Sequence, residues 1–113
     1  MRVLVTGSQF WTDWRTLMAA LALVWEPDAV LVTGACPDGA ENLAARCWRH
    51  WGGRVERWEF DWDQPQGPVV PSRHRRMIDA GADVCLSFGS TTGPHALGTM
   101  SRAAGVPTYE WTA

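Results

Sequence analysis

Three short, continuously apolar runs constrain the fold of this chain more than any other feature. They occupy residues 3–6, 29–33 and 84–88, and each has the length of a strand rather than of a helix. An unbroken apolar run indicates a strand that is buried on both faces, as in a parallel sheet covered by helices. A glycine follows each run, so each strand is predicted to end in a turn. These glycines are Gly7, Gly34 and Gly89.

Segments with helical periodicity separate the first strands. A first helix carries an apolar stripe with Thr12 or Asp13 as its N-cap. Its stripe consists of Trp14, Leu17, Met18, Leu21, Val24 and Trp25. A second helix follows Asp38 and Glu41, whose spacing resembles a capping box, and it ends at Gly52 and Gly53. Its stripe consists of Ala40, Leu43, Ala44, Cys47, Trp48 and Trp51.

Two weaker strands complete the pattern. Residues 54–59 alternate between polar and apolar, which predicts an outer strand, and residues 106–111 form a last strand with Pro107 near its start. Three prolines make residues 61–71 a long loop, and long loops in compact domains are usually functional. Ser72 is predicted to cap a short helix that begins with Arg73 and ends at Gly81.

The stretch at residues 82–105 combines a strand, a loop of small residues and a helix. Its loop reads Gly89, Ser90, Thr91, Thr92, Gly93, Pro94. With Gly93 as cap and Pro94 in the first turn, this loop is predicted to open the helix directly. Main-chain N–H groups, hydroxyls and the positive end of the helix dipole would then suit a phosphate or another anion. A polar turn without a ligand is the alternative.

The alternation of strands and helices predicts one Rossmann-like α/β domain over residues 1–113. Its five-stranded parallel sheet is expected to have the order 3-2-1-4-5. Ligands of such sheets lie beyond the carboxyl ends of the strands, so the loops after strands one, two and four should hold the site. The candidate ligand-binding residues are Gly7, Ser8, Gly34, Ala35, Gly39, Arg73, Gly89, Ser90, Thr91, Thr92 and Gly93. Gly34 and Gly39 could equally serve tight turns and helix packing.

Charge and composition argue against several classes of protein for this chain. The net charge of −2 provides no general positive field for nucleic acid. Met1 leads directly into the first strand and no apolar stretch approaches the length of a membrane span, so we expect a cytoplasmic protein without membrane contact. The three cysteines, Cys36, Cys47 and Cys85, lack a paired spacing, which favours free thiols. His74, His95 and Cys36 have no recognised metal spacing, so neither a metal nor a cofactor is predicted.

The chain has eight tryptophans, and they lead to a prediction about assembly. Trp11 and Trp62 fall in loops at the carboxyl edge, where an indole could either stack on a base or pack under its loop. The inward stripes carry Trp14, Trp25, Trp48 and Trp51. Helix stripes this aromatic exceed what a small sheet can cover, so we expect a homo-oligomer joined through helical faces close to the site.

Several short motifs occur in a characteristic order. They are GSQ-x-W after strand one, TGACPDGAENLA after strand two, FDW before the long loop, RHRRMIDAGADVCLSF, the Gly/Ser/Thr loop, and AAGVP. Over nearly the whole chain this order resembles the YspA-like family of the SLOG superfamily, which also includes DprA and the Lonely Guy phosphoribohydrolases. The resemblance implies a Rossmann-like fold that binds nucleotides or nucleotide-derived molecules. It also implies that the loop at Ser90, Thr91 and Gly93 holds the phosphate.

The departures from the family pattern bear on catalysis. In the phosphoribohydrolases a PGG loop is followed by a Glu that takes part in cleavage, whereas here Leu97 stands at that place. Arg73 of the family's Arg-xxx-Met pattern is kept. The other departures are His74 for the usual Asn, Gln9 for an Arg, and Glu41 for an Asp. The resemblance therefore implies binding or sensing of a nucleotide-derived ligand rather than a reaction.

Two alternatives to a binding role stay open. The first is a hydrolase that acts on an N-glycosidic or phosphoester bond of such a ligand, with Asp61, Asp63 or Glu41 as acid or base. The second is single-stranded DNA binding in the manner of DprA, which the acidic charge balance disfavours.

Overall fold

The computed structural model describes residues 1–34, 38–58, 69–89 and 96–112, with the backbone alone for residues 69–73. Its elements in chain order are β1 (Arg2–Gly7), α1 (Trp14–Val24), β2 (Val30–Gly34), α2 (Gly39–His50), β3 (Arg54–Trp58), α3 (Val69–Asp79), β4 (Val84–Phe88), α4 (Leu97–Ala103) and β5 (Thr108–Trp111). All strand pairs are parallel, in the order β3-β2-β1-β4-β5. The predicted Rossmann-like α/β fold and its strand order are confirmed.

The three apolar runs form the centre of the sheet, as predicted. Leu4 of β1 pairs with Val32 of β2 on one side and with Cys85 of β4 on the other. All three of these side chains are fully buried. β3 lies at one edge of the sheet, which confirms its assignment as an outer strand. Strand order reverses between β1 and β4, so the crevice typical of such sheets belongs at their carboxyl ends.

Helices cover both faces of the sheet. α1 and α2 pack on the face that presents Val3 and Val5 of β1. α3 and α4 cover the opposite face, where Met77 and Leu97 pack against Leu4. Successive residues of β1 therefore serve opposite cores, which is why its sequence is apolar without alternation.

Helix α1 begins as predicted, and one residue of its stripe is exposed. Asp13 is the N-cap, and its carboxylate accepts from the Thr16 N–H at 3.1 Å and from the Thr16 hydroxyl at 2.6 Å. These hydrogen bonds lower the pKa of Asp13. Trp14 was expected in the core or at an interface, and it is 52% exposed. The buried residues of α1 are Leu17, Ala20 and Leu21, and Trp14 is the first residue of the helix, one turn before Leu17.

Three tryptophans pack together where α1 and α2 end. Trp48 is fully buried, and its ring centroid lies 4.8 Å from that of Trp25, which in turn lies 5.5 Å from Trp51. A Cβ at Gly53 would lie 2.6 Å from the Trp25 ring, so the indoles require a glycine there. Gly52 has a φ of +87°, which ends α2 as predicted. At the other end of α2, Asp38 is the N-cap but makes no capping hydrogen bond through its side chain, so that part of the predicted capping box is wrong.

Helices α3 and α4 begin at other residues than predicted. α3 starts at Val69, which places Pro71 in the first turn and Ser72 inside the helix instead of at its cap. A proline is tolerated in a first turn because its N–H would have no partner there. α4 starts at Leu97 with Ala96 as N-cap, so Gly93 and Pro94 do not open it. The φ of proline is shared by helical and extended backbone, so Pro94 alone does not select a helix.

Two further sequence-based expectations concern cysteines and membranes. Cys47 and Cys85 are free thiols, and burial raises the pKa of Cys85 to about 11. Cys36 lies outside the described residues. Within the described part of the chain, every helix is too short or too polar to cross a bilayer.

An ionic cluster fastens the amino edge of the sheet. The Arg2 guanidinium donates to the Gly81 carbonyl at 2.8 Å and to the Glu56 carboxylate at 2.5 Å. The Trp58 indole N–H donates to the same carboxylate at 2.8 Å. The hydrogen bond from Arg2, and then that from Trp58, lowers the pKa of Glu56. The cluster thus joins β1, the edge strand β3 and the turn before β4.

This cluster predicts a pH-dependent stability. A carboxylate whose pKa is lowered by folding stabilises the folded state above its ordinary pKa, and this contribution is lost as the pH falls through the lowered value. The Glu56 side chain is 40% exposed, so we expect Glu56→Gln to cost about 1 kcal/mol or less at pH 7 and progressively less as the pH falls below the ordinary glutamate pKa of about 4.3. Urea unfolding of both proteins across this pH range measures the difference.

The matched control is Glu110→Gln, which removes the more exposed Arg102–Glu110 pair at 3.3 Å. It should change the free energy of unfolding by less than Glu56→Gln does at pH 7. A cost for Glu56→Gln that stays constant between pH 7 and pH 3 would contradict this account.

Candidate functional site

The carboxyl ends of the central strands meet at the reversal of strand order. β1 ends at Gly7, which pairs with Phe88, the last residue of β4. Gly89 follows directly, and β2 ends at Gly34 on the other side of β1. The loops predicted to hold a ligand therefore do leave neighbouring strands on the same edge of the sheet.

The turn after β1 is fixed by four hydrogen bonds of Ser8. Its N–H donates to the Phe88 carbonyl at 2.8 Å, and its carbonyl accepts from the N–H groups of Trp11 at 3.2 Å and Ala40 at 3.1 Å. Its hydroxyl oxygen accepts from the Phe10 N–H at 3.0 Å. One serine thus ties the β1 turn to the end of β4 and to the first turn of α2.

Three glycines surround this serine because the main chains pass too close for side chains. A Cβ at Gly7 would lie 2.7 Å from the Ala40 Cβ and would overlap the Phe88 carbonyl. Gly39 has a φ of +75°, and a Cβ there would overlap the main chain of Ser8 and Gln9. Gly89 has a φ of +87°, and a Cβ there would lie 2.9 Å from the Ser8 Cβ. We call Gly7, Ser8, Gly39 and Gly89 the glycine junction.

The glycine junction gives Gly39 the packing role considered for it. Gly39 is needed for the close packing of α2 against the β1 turn. A ligand-binding role of Gly39 stays a prediction, because the packing role does not exclude it. The main chains of the β1 turn, the start of α2 and the residue after β4 lie in direct contact there.

Glu41 joins the end of β2 to the first turn of α2, next to the glycine junction. It lies in the first turn of α2, is only 7% exposed, and accepts from the Gly34 N–H at 3.0 Å. A carboxylate in a first turn is stabilised by the positive end of the helix dipole. Glu41 therefore holds the end of β2 beside the start of α2.

Aromatic side chains pack together next to the glycine junction. The Phe88 ring stacks on Trp111 at 4.9 Å and lies 5.6 Å from Trp11. Trp11 is 4% exposed, and its indole N–H donates to the Asp13 carbonyl at 2.9 Å. Of the two roles considered for Trp11, the structure shows packing under the loop. Its neighbour Phe10, which the sequence analysis did not single out, is 79% exposed.

The predicted site residues fall into three groups. Gly7, Ser8, Gly34, Gly39 and Gly89 lie together at the carboxyl edge. Arg73 is the fifth residue of α3, so it lies beyond the helix start to which it was assigned, and its side chain is outside the described part. The remaining candidates, and Trp62, also lie outside the described residues; these candidates are Ala35, Ser90, Thr91, Thr92 and Gly93.

Metal ligands can be assessed over the described ranges. Within them, no three His, Cys, Asp or Glu side chains lie close enough together to hold a metal ion. His95 and Cys36, which were considered at the sequence level, lie outside these ranges.

Fold and edge geometry together define a Rossmann-like domain, and comparison with known proteins identifies its family. The model of the YspA, cpYpsA-related SLOG family matches residues 1–64, which include three residues of the glycine junction. The chain is also 35% identical to the Gene 61 protein of Mycobacterium phage D29 over 119 residues, covering 94% of this chain and 92% of the phage protein. The chain belongs to the YspA, cpYpsA-related SLOG family.

The glycine junction predicts that two glycines with similar φ respond differently to alanine. Gly39→Ala places a Cβ against the Ser8 and Gln9 main chain, whereas a Cβ at Gly52, with a φ of +87°, meets no atom within 4 Å. Gly52→Ala should cost about 1 kcal/mol, from the left-handed backbone alone. Gly39→Ala should cost about 2 to 5 kcal/mol, because overpacking adds to the same backbone cost.

Denaturant unfolding of the two variants measures this difference. Equal losses of stability would show that the main chains at the glycine junction can separate without cost, which would contradict the close packing described here.

Proposed function

We propose that this protein binds or senses a nucleotide or a nucleotide-derived small molecule at the carboxyl edge of its sheet. The observation that carries the proposal is the glycine junction, where the loops after β1 and β4 and the start of α2 meet through their main chains. The N–H groups of Ser8, Ala40 and Gly89 donate to main-chain carbonyls, so the junction holds the loops together, and the proposed phosphate is bound by the loop that follows Gly89. Membership of a SLOG family is consistent with nucleotide-related binding.

The loop after β4 supplies the proposed phosphate contacts. We assign these to the N–H groups and hydroxyls of Ser90, Thr91, Thr92 and Gly93, with Gly34 and Ala35 on the other side of β1. Since α4 begins only at Leu97, the loop itself and not the dipole of α4 must stabilise the anion. Ser8, whose hydroxyl oxygen accepts from Phe10, keeps its hydroxyl hydrogen for donation.

Arg73 supplies the proposed positive charge. It lies in the first half of α3, and α3 runs from the carboxyl edge of the sheet towards the start of β4. A guanidinium can bind a phosphate bidentately, and such charge-assisted hydrogen bonds are stronger than neutral ones.

Leu97 supports binding over catalysis. It stands at the place of the cleaving Glu of the phosphoribohydrolases, it is 1% exposed, and it packs into the core beneath α3 and α4. Leucine has no carboxylate, and the side chain at this position is buried in the core, so Leu97 offers no acid–base group to a ligand. We therefore propose recognition without turnover as the main role.

One observation favours a hydrolase as the second candidate. Glu41 is a buried carboxylate at the site, and burial near a main-chain ligand cradle is typical of acid–base residues. Asp61 and Asp63 are the other candidates for such a role. Release of free base or of phosphate from nucleoside monophosphates at an enzymatic rate, abolished by Glu41→Gln, would establish this alternative over simple binding.

The role of Arg73 can be tested by calorimetry with a panel of nucleotides. Arg73→Ala should weaken nucleotide binding about tenfold or more, because charge-assisted hydrogen bonds contribute about 1.5–3 kcal/mol each. The matched control is Arg75→Ala, an exposed arginine of the same helix, which should leave the affinity unchanged. Equal affinities of Arg73→Ala and the unchanged protein would exclude the assigned role.

The proposal as a whole is tested separately by mass spectrometry of small molecules released from the purified, denatured protein. We expect a nucleotide-derived compound among them. The absence of such a compound, together with no binding of any nucleotide in the panel, would refute it.

We also propose that the chain forms a homo-oligomer through α1 and α2. Between these helices lies an open groove of about 720 Å³, lined by Trp14, Met18, Leu43, Trp51 and other residues. Trp14 and Leu23 of α1 are 52% and 83% exposed. Exposed aromatic and aliphatic surface of this kind is typical of subunit contacts.

Light scattering at high micromolar concentration should therefore give a mass above the 12.5 kDa of one chain. Trp14→Ala should lower this mass, whereas Tyr109→Ala, an exposed aromatic on the edge strand β5, should not. A mass of one chain for the unchanged protein would rule out the oligomer.

A further inference from the structure

Phe10 is an exposed aromatic residue on a turn that is held rigidly. Its side chain is 79% exposed. Its N–H donates to the Ser8 hydroxyl oxygen at 3.0 Å, and the next N–H, that of Trp11, donates to the Ser8 carbonyl at 3.2 Å. The turn from Ser8 to Trp11 thus holds the Phe10 backbone in one conformation while leaving its ring in water.

The fixed neighbours of Phe10 explain why its ring stays outside. Trp11 fills the space beneath the turn, against Phe88, and is 4% exposed. Ser8 is tied to β4 on the other side. Phe10 could enter the core only if Trp11 left it, so the turn displays one aromatic ring and buries the next.

The main chain of Phe10 adjoins the glycine junction, beside which the ligand is proposed to bind. Ser8 faces Gly89 and Gly39, and a Cβ at Gly39 would also overlap the main chain of Gln9. Phe10 follows Gln9 directly. An apolar ring is therefore presented at the margin of the glycine junction, where the proposed phosphate contacts are polar.

We propose that the Phe10 ring is the platform on which the base of the ligand stacks. This inference rests on the proposed nucleotide-binding function and specifies it further: the ligand carries a flat heterocycle in addition to a phosphate. Stacking on one phenyl face favours ligands that carry a base over sugar phosphates. It selects weakly among bases, because every base has a π-face.

The rigidity of the turn contributes to this role. A side chain whose backbone is already ordered loses less conformational entropy on binding than one in a mobile loop. Phenylalanine has only two side-chain torsions, which keeps the remaining cost small. The hydrogen bonds of Ser8 therefore prepare the platform in the absence of a ligand.

The inference is tested by calorimetry with two kinds of probe, the four nucleoside 5′-monophosphates and ribose 5-phosphate. The second probe has the sugar and the phosphate but no base. Phe10→Ala should weaken nucleotide binding about tenfold, the usual effect of removing one stacking partner, and should leave ribose 5-phosphate binding unchanged. Phe10→Trp should retain the nucleotide affinity.

The matched control is Tyr109→Ala, which removes another exposed aromatic side chain, 57% exposed, from the edge strand β5. It should change neither affinity. Thermal unfolding of Phe10→Ala should match that of the unchanged protein, because the ring makes little contact with the fold.

The outcomes separate this inference from the function on which it rests. If the unchanged protein binds nucleotides and Phe10→Ala binds them equally well, the stacking role is wrong and the proposed function stands. An equal loss of ribose 5-phosphate binding in Phe10→Ala would assign Phe10 to the structure of the turn and overturn the stacking role as well. If the unchanged protein binds none of the nucleotides and releases no nucleotide-derived compound on denaturation, both proposals fall.

Discussion

The close approach of main chains around Ser8 is the constraint on which the site depends. The carbonyl of Ser8 accepts from two N–H groups, those of Trp11 and Ala40, which belong to the β1 turn and to α2. The bond from Ala40 requires α2 to begin immediately beside the end of β1. That separation is reached only because Gly7 and Gly39 have no Cβ. The hydrogen bond between Ala40 and Ser8 therefore depends on glycine at positions 7 and 39.

Hydrogen bonds hold α2 against the sheet at both of its ends. At its first turn α2 is held by Ala40 and Glu41, and near its end Trp48 is buried with its indole N–H 3.4 Å from the Ala29 carbonyl. A helix fixed at both ends cannot shift without breaking buried hydrogen bonds, which cost more to leave unmade than they contribute when formed. The start of α2 is therefore held beside the β1 turn by the fold itself.

Sequence reasoning succeeded where the signal was local. Three apolar runs of strand length, each followed by a glycine, are sufficient to predict buried parallel strands, and the connections between them leave room for helices. The sheet order followed from which runs were most apolar. Because the strands were predicted to be parallel, the glycines at or just after their carboxyl ends could be placed on one edge of the sheet. These are Gly7, Gly34 and Gly89.

Sequence reasoning failed where the choice between two adjacent residues depends on tertiary packing. Two aromatic residues follow each other at Phe10 and Trp11, and only the space beside Phe88 decides which one is buried. Trp14 belongs to an apolar stripe that is wider than the face α1 buries. Likewise, the starts of α3 and α4 depend on prolines whose φ fits both helix and extended chain, so Pro71 lies in a first turn and Pro94 lies before one.

The corrected start of α4 changes how an anion would be stabilised at this edge. A loop that opened α4 directly would use the helix dipole, but α4 has seven residues and begins after Ala96. Partial charges of a helix end act mainly within the adjacent turn, so a phosphate in the loop after β4 would receive little from them. In the proposed site, the compensation comes from main-chain N–H groups and from Arg73 of α3. We therefore propose that α3, rather than α4, determines the affinity for a phosphate.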